Sequence, residues 1–103
     1  MTEELEEICK WDIKISKGDW TKFKAGINDV VKRHGKIPTK GTCIGEGFEL
    51  HAEANEESNY VSMALSIKAG RITPLLLIMQ LREYITNNIQ NLIEYQENYR
   101  KFS

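Results

Sequence analysis

The stretch that follows Thr73-Pro74 constrains the fold more than any other part of the sequence, because it contains no glycine and no further proline. Threonine is a favoured N-cap and proline is favoured at the first position of a helix, so a helix is predicted to begin at Pro74. No breaker ends it before residue 102. A helix over 74–102 would be about 43 Å long at 1.5 Å per residue.

Such a helix would be longer than the rest of the molecule. A chain of 103 residues has a folded radius of gyration of about 13 Å, hence a diameter of about 33 Å. Part of the helix would therefore overhang, yet an apolar stripe with three- and four-residue spacing follows it throughout. The members of the stripe are Ile78, Leu81, Ile85, Asn88, Leu92, Tyr95, Tyr99 and Phe102.

The stripe predicts self-association through this C-terminal helix. A single asparagine in such a seam, here Asn88, often fixes the register or the oligomer number of a helical assembly. A homo-oligomer with closed symmetry is the expected state. The alternative is that the stripe only covers the protein's own sheet.

Alternation of apolar and polar residues predicts three strands. The alternating runs lie at residues 11–16, 48–54 and 61–67. The last two flank a short polar turn, as expected for an antiparallel hairpin. The glycine-containing stretch 36–47 is predicted to be a loop, and residues 2–9 are predicted to form a short helix.

A second main helix is predicted over residues 20–34. Its apolar face is formed by Trp20, Phe23, Ile27, Val30, Val31 and His34. Asp19 is the expected N-cap and Gly35 the expected C-cap. Gly26 weakens the helix, which suggests that another backbone comes close to it.

These elements predict one α+β domain over residues 1–103. Its fold is a small three-stranded antiparallel sheet with two main helices on its apolar face, in the order (α)βαββα. The long C-terminal helix over 74–102 overhangs this domain and oligomerises.

Composition excludes several classes of protein. With 14 Lys+Arg against 15 Asp+Glu, 41% hydrophobic and 28% charged residues, the chain is neither disordered nor a strongly basic nucleic-acid binder. No apolar run approaches a membrane span, and residues 1–10 lack the layout of a signal peptide. Cys9 and Cys43 are expected to be reduced thiols in a cytoplasmic protein. The lysine- and isoleucine-rich usage is typical of a low-GC bacterium or its phage.

Charge is segregated along the chain: residues 10–40 carry a net +6 and residues 41–60 a net −5. The basic block is the best candidate for binding an anion. The candidate ligands are Lys14, Lys17, Lys22, Arg33, Lys36 and Lys40. The alternative is a solvated face that pairs with the acidic stretch 46–57.

The remaining reactive residues favour structural roles. Cys43 lies among glycines but has no histidine adjacent in sequence, and His34 lies on a helix face near its end. Glu49, His51 and Glu53 share the polar face of a strand, where solvent is the expected neighbour. No nucleophile–base–orienter set, metal-ligand spacing or cofactor motif is present. We therefore expect no catalysis, no metal and no cofactor.

The leading functional hypothesis is a small cytoplasmic, homo-oligomeric binding protein. It would act as an inhibitor or accessory factor on a protein partner, and it would be phage-derived. One alternative is sequestration of an anionic, nucleotide-like ligand between subunits. Others are nucleic-acid binding through the basic block and, least favoured, a small enzyme.

Overall fold

The computed structural model describes residues 4–100, which form one six-stranded antiparallel sheet with two helices. The elements in chain order are β1 (Glu6–Ser16), α1 (Lys17–Lys32), β2 (Lys36–Thr39), β3 (Thr42–Gly45), β4 (Phe48–Glu56), β5 (Tyr60–Ala69), α2 (Leu75–Asn87) and β6 (Leu92–Tyr99). A 3₁₀ turn, Ile89–Asn91, connects α2 to β6.

The strand order in the sheet is β2-β3-β4-β5-β1-β6. The N-terminal strand β1 therefore lies between β5 and the C-terminal strand β6. Trp11 of β1 is opposite Leu65 of β5 on one side and Glu97 of β6 on the other. The N-terminal strand is thus an inner strand of the sheet, and the C-terminal strand forms one of its edges.

The core lies between the helices and one face of the sheet. Alternate residues of β1 and β5 are buried, as in Trp11, Ile13 and Leu65, because successive side chains of a strand point to opposite faces. They pack in one cluster with the apolar faces of α1 and α2. The shortest dimension of the molecule is 21 Å, which equals one helix layer on one sheet layer. No helix within residues 4–100 lies on the other face of the sheet.

The predicted three-stranded sheet is wrong, although the α+β class is correct. The hairpin of β4 and β5 and the strand after Trp11 are present, but three further strands extend the sheet. The predicted loop 36–47 contains the β2–β3 hairpin. All four residues of β2 are exposed, so β2 lacks the alternation of apolar and polar residues by which the other strands were recognised. Gly41, at the turn, has a φ of +86°.

The predicted N-terminal helix over residues 2–9 is also wrong. β1 begins at Glu6 and continues through Cys9 into the predicted strand, in antiparallel pairing with β5. Residues 1–3 lie outside the described part of the chain. Ile8 and Cys9 are both buried, and the register shift between Glu7 and Cys9 is the reason. This irregularity breaks the strict alternation that would have identified a strand.

The predicted helix over residues 20–34 is present as α1, which begins earlier, at Lys17. Its buried side chains, including Trp20, Phe23 and Ile27, all belong to the predicted face. The helix ends at Lys32, however, so His34 of that face lies beyond it and is only partly buried. Asp19 is not the N-cap: Ser16 holds that position, and its hydroxyl donates a hydrogen bond to Asp19 Oδ2 at 3.0 Å. Arg33, not Gly35, is the C-cap.

The long C-terminal helix over 74–102 is wrong, and this error has the largest consequence. α2 ends at Asn87, and the amide of the Asn88 side chain donates a hydrogen bond to the carbonyl oxygen of Tyr84 at 2.8 Å. The chain then turns back as β6 and pairs antiparallel with β1. A helix of this length is about 20 Å long and fits within the molecule.

A β-bulge explains why β6 resembles a helix in sequence. Lys14 pairs with Glu94, but the next residue, Ile15, pairs with Leu92, so Ile93 is the extra residue. Leu92 and Tyr95 therefore reach the same face of the sheet although they are three residues apart. Three-residue spacing is typical of a helix, and here the bulge produces it in a strand.

The residues of the predicted oligomer interface are dispersed over several environments. Ile78, Leu81 and Ile85 are buried in the protein's own core, and Leu92 and Tyr95 pack against that core. Asn88 caps α2, Tyr99 is partly exposed in β6, and Phe102 lies outside the described residues. Within residues 4–100, α2 ends at Asn87, so the overhanging helix on which this predicted interface depended is not formed.

Candidate binding surfaces

The candidate nucleophile, Cys43, lies in β3 and is buried beneath α1. Its Sγ is 3.6 Å from the carbonyl oxygen of Val31, a weak hydrogen bond. Burial raises the pKa of the Cys43 thiol, so the reactive thiolate is disfavoured. Cys9 is also buried and unpaired, and its pKa is raised to about 12, first by burial and then by the nearby Glu97. Neither thiol has the environment of a nucleophile.

The two histidines lie on opposite sides of the sheet. His34 Nε2 is 2.7 Å from Oε1 of Gln80, so the residue links the end of α1 to α2. His51 is on the open face of the sheet, 3.2 Å from Glu49 Oε2. Within residues 4–100 no group of three metal-ligating side chains comes together. The row Glu49, His51 and Glu53 is a polar strand surface.

The six predicted anion-binding residues do not form one site. Lys14 lies on the open face of the sheet, where its ammonium is 3.3 Å from Glu94 and 4.7 Å from the Tyr60 ring centroid. Lys17, Lys22 and Arg33 are exposed on and around α1, on the other side of the sheet. Lys36 and Lys40 belong to the β2–β3 hairpin.

The ion-pair partners of the basic block also differ from the predicted ones, which were the acidic residues of 46–57. Its ion pairs include Lys10 with Asp12 at 3.9 Å, Lys14 with Glu94, and Lys32 with Asp29 at 3.7 Å. These partners are on β1, β6 and α1. Glu49 and Glu53 of β4 instead face outward on the open side of the sheet, whereas Glu56 lies on the side of α1.

The open face of the sheet contains a depression of about 710 Å³, which we call the trough. Two cross-strand rows over β6, β1, β5 and β4 form it. The rows are Glu94–Lys14–Ser62–Asn55 and Gln96–Asp12–Ala64–Glu53. Small side chains on β5 make its floor, and longer ones on the flanking strands make its walls.

The trough has an excess of negative charge. Its lining includes the carboxylates of Asp12, Glu53 and Glu94 but only one ammonium, that of Lys14. Lys14 is paired with Glu94, and the nearest cation to Asp12 is Lys10, at 3.9 Å. A surface with this imbalance attracts cationic groups.

A second depression, of about 560 Å³, lies on the other side of the sheet between α1 and the β2–β3–β4 strands. It exists because two helices, each about 10 Å wide, cannot cover six strands spaced about 4.8 Å apart. Its lining is mixed: Ile37 and Leu50 are apolar, Lys24 and Lys40 are basic, and Glu56 is acidic.

Glu97 forms a cluster that the sequence did not indicate. Its Oε1 accepts hydrogen bonds from Trp11 Nε1 at 2.8 Å and from Arg82 Nε at 2.7 Å. Burial raises the pKa of this carboxyl, but the hydrogen bonds from Arg82 and Trp11 outweigh burial and hold the pKa below its ordinary value. The cluster ties β1, α2 and β6 together.

Sequence reasoning identified the polar faces of β1, β4 and β5 but missed the contribution of β6 to the trough. Glu94 and Gln96 were assigned to a helix, so they could not be placed beside Lys14 and Asp12. The β-bulge at Ile93 removed the alternation that would have revealed them.

The fold and its open face define a two-layer α+β protein with a polar sheet surface. In comparisons with known proteins, no family model matches the sequence, and no curated protein shows significant similarity to it. Within residues 4–100, no helix combines the length and apolarity needed to cross a bilayer.

Proposed function

We propose that this protein is a non-catalytic binding protein that holds a basic segment of a partner protein in the trough. The observation that carries the proposal is the acidic depression on a sheet face that the protein's own helices leave open. As an inhibitor or accessory factor, it acts by occupying a surface of its partner. Its two buried, unpaired cysteines suit the reducing environment of the cytoplasm.

The shape of the trough favours a protein segment over a small molecule. Small-molecule sites are usually enclosed and mostly apolar, whereas the trough is an open surface lined by charged and polar residues. It extends over four strands, a span of about 14 Å between the outer strand axes. An α-helix, about 10 Å in diameter, fits this width.

The charge of the trough selects the kind of segment. A lysine or arginine lying over Ser62 and Ala64 would have Asp12 on one side and Glu53 on the other, since both are cross-strand neighbours of Ala64. Such complementarity raises the association rate and excludes acidic competitors. We therefore expect salt to weaken binding.

The test uses Ala64→Arg, which fills the floor of the trough and adds a positive charge. The matched control is Thr21→Arg, the same charge change at an exposed position of α1. Each protein is immobilised, exposed to lysate of the source cells, and its captured proteins are quantified by mass spectrometry. We expect at least one protein to be captured equally by wild type and the control but at least tenfold less by Ala64→Arg.

Capture alone does not support the proposal, because any exposed surface retains some protein. The trough is not the binding surface if Ala64→Arg still captures every protein that the wild type captures. The same conclusion follows if Thr21→Arg reduces capture as much as Ala64→Arg does. Circular dichroism of both variants shows that the sheet is intact.

A further inference from the structure

The two edges of the sheet are protected by different features. β2 has only four residues, contains Pro38, and carries Lys36 and the adjacent Lys40. Short length, proline and lysine are the features that prevent edge strands from pairing with other chains. β6 has eight residues, Leu92–Tyr99, and contains neither proline nor lysine. Its protective features are the bulge at Ile93 and the inward-facing charge of Glu97. In the described part of the chain, no strand covers its outer side.

Exposed apolar side chains accompany the β6 edge, as Ile37, at 41% exposed, does on β2. Ile93, the bulge residue of β6, is 56% exposed, and Ile89 in the preceding turn is 47% exposed. Tyr99, near the other end of the strand, is 37% exposed. A partner strand paired with β6 would cover these side chains.

The charge pattern of β6 is self-complementary. In an antiparallel pair with a second copy, directly opposite residues lie on the same face of the sheet. If Gln96 is opposite its own counterpart, Glu94 is opposite the partner's Asn98 and diagonal to the partner's Arg100. Glu97 is opposite the partner's Tyr95, and its own charge is already compensated by Arg82. No two carboxylates are directly opposed, and the two Glu97 side chains, which are diagonal to each other, are each compensated by Arg82 of their own chain.

We infer that β6 pairs antiparallel with β6 of a second copy, with Gln96 on the twofold axis. The two sheets join into one of twelve strands. Glu94 and Gln96 line the trough, so the pairing places the two troughs next to each other on a continuous open face. The dimer thereby presents twice the acidic surface to a partner, and simultaneous binding at both troughs raises the apparent affinity.

Site-specific cross-linking tests this arrangement. Strand partners have Cα atoms about 4.5–5.5 Å apart, which a disulfide can span. In Gln96→Cys the two new thiols face each other across the axis, and we expect more than half of the protein to form a disulfide-linked dimer under mild oxidation. The native Cys9 and Cys43 are buried and do not compete.

The matched control is Glu94→Cys, on the same face of the same strand. In the inferred register the two Glu94 positions are about 13 Å apart along the strands, so this variant should remain uncross-linked. Equal cross-linking of the two variants, or cross-linking of Glu94→Cys alone, would overturn the inferred pairing.

Native mass spectrometry gives a second, independent measurement. The wild type is expected at about twice the chain mass of 11.9 kDa. Ile93→Lys places a lysine on the edge and should raise the dimer dissociation constant at least tenfold. Leu76→Lys, at a 62% exposed position of α2, should leave the dimer intact.

A wild-type protein that is monomeric at 100 µM, or a dimer that dissociates with Leu76→Lys but not with Ile93→Lys, contradicts the inference. Neither outcome affects the proposal for the trough, which a monomer also presents. Conversely, Ala64→Arg should leave the dimer intact, so the two proposals can fail separately.

Discussion

At the scale of single residues, Gly26 allows a close side-chain contact within the core, although glycine weakens a helix. A Cβ at this position would collide with the hydroxyl group of Tyr84. The Tyr84 hydroxyl donates a hydrogen bond to the carbonyl oxygen of Phe23 at 3.3 Å, and the two rings are 5.5 Å apart. The sequence predicted a close approach of another backbone at Gly26. The structure instead places an aromatic ring there, and local periodicity cannot identify a neighbour so distant in sequence.

Two glycine-to-alanine variants in α1 test this packing. A methyl group added at Gly18 would meet no neighbouring atom within 4 Å, so Gly18→Ala should raise the free energy of unfolding by about 0.5–1 kcal/mol through helix propensity. Gly26→Ala gains the same propensity but overpacks against Tyr84, so we expect a net loss of about 1–3 kcal/mol. Urea unfolding of both variants provides the measurement. Equal stabilisation would show that Tyr84 does not pack on Gly26.

Glu97 is the residue whose ionisation contributes most clearly to stability. Its pKa is held below the ordinary value of 4.5 by hydrogen bonds from Arg82 and Trp11, which outweigh burial. A carboxyl with a lowered folded-state pKa stabilises the protein above its unfolded pKa. That contribution is lost as the pH falls through the folded-state pKa.

We therefore expect the free energy of unfolding to fall below about pH 4.5, and Glu97→Gln to remove part of that fall. At pH 7 this variant should lose about 1 kcal/mol of unfolding free energy, less than the ~1.5–3 kcal/mol of buried charged hydrogen bonds, because Arg82 is 38% exposed and solvent screens the pair. Chemical denaturation at pH 7 and pH 4 measures both effects. If the free energy of unfolding falls as much between pH 7 and pH 4 in Glu97→Gln as in the wild type, Glu97 does not contribute to the pH dependence of stability. Asp29→Asn, which alters an exposed ion pair with Lys32 on α1, is the control.

At the scale of elements, the sequence identified those whose own periodicity is complete. α1 has a full apolar face, and the β4–β5 hairpin alternates around a polar turn, so both could be predicted. β2 has no buried residue, and β6 contains a bulge, so neither has a local signal. The β4 and β5 sides of the trough follow from alternation, whereas its β6 side depends on pairing between the two ends of the chain.

A substitution of Asn88 distinguishes the long helix predicted for residues 88–99 from the turn and strand of the structure. In a long oligomerising helix, Asn88→Leu would complete the apolar seam and stabilise the assembly. In the structure the Asn88 amide binds the Tyr84 carbonyl and ends α2, so Asn88→Leu should destabilise the fold by about 1 kcal/mol. Thermal unfolding followed by circular dichroism distinguishes the two signs. Asn87→Leu, at an exposed neighbouring position, controls for the change in polarity.

At the scale of the whole molecule, the strand order makes folding depend on both ends of the chain. β1 is central only because β6 pairs with it, and the Trp11–Glu97 hydrogen bond joins residues separated by 86 positions. Contacts of this sequence separation form late and slowly, since loop closure must precede them. They also close the core over β1, where Trp11 is fully buried.

Removal of β6 tests this dependence. A chain that ends at Asn91 leaves β1 as an edge strand and removes Leu92 and Tyr95 from the margin of the core. We expect this chain to lose its cooperative thermal transition and to show tryptophan fluorescence, from Trp11 and Trp20 together, shifted toward that of solvent-exposed tryptophan. Glu97→Gln in the full chain removes only the charge of one side chain and should keep a cooperative transition at a lower midpoint. If the shortened chain instead melts at the wild-type temperature, residues 92–99 are dispensable and do not pair with β1. Loss of the cooperative transition would show that the fold cannot form without β6.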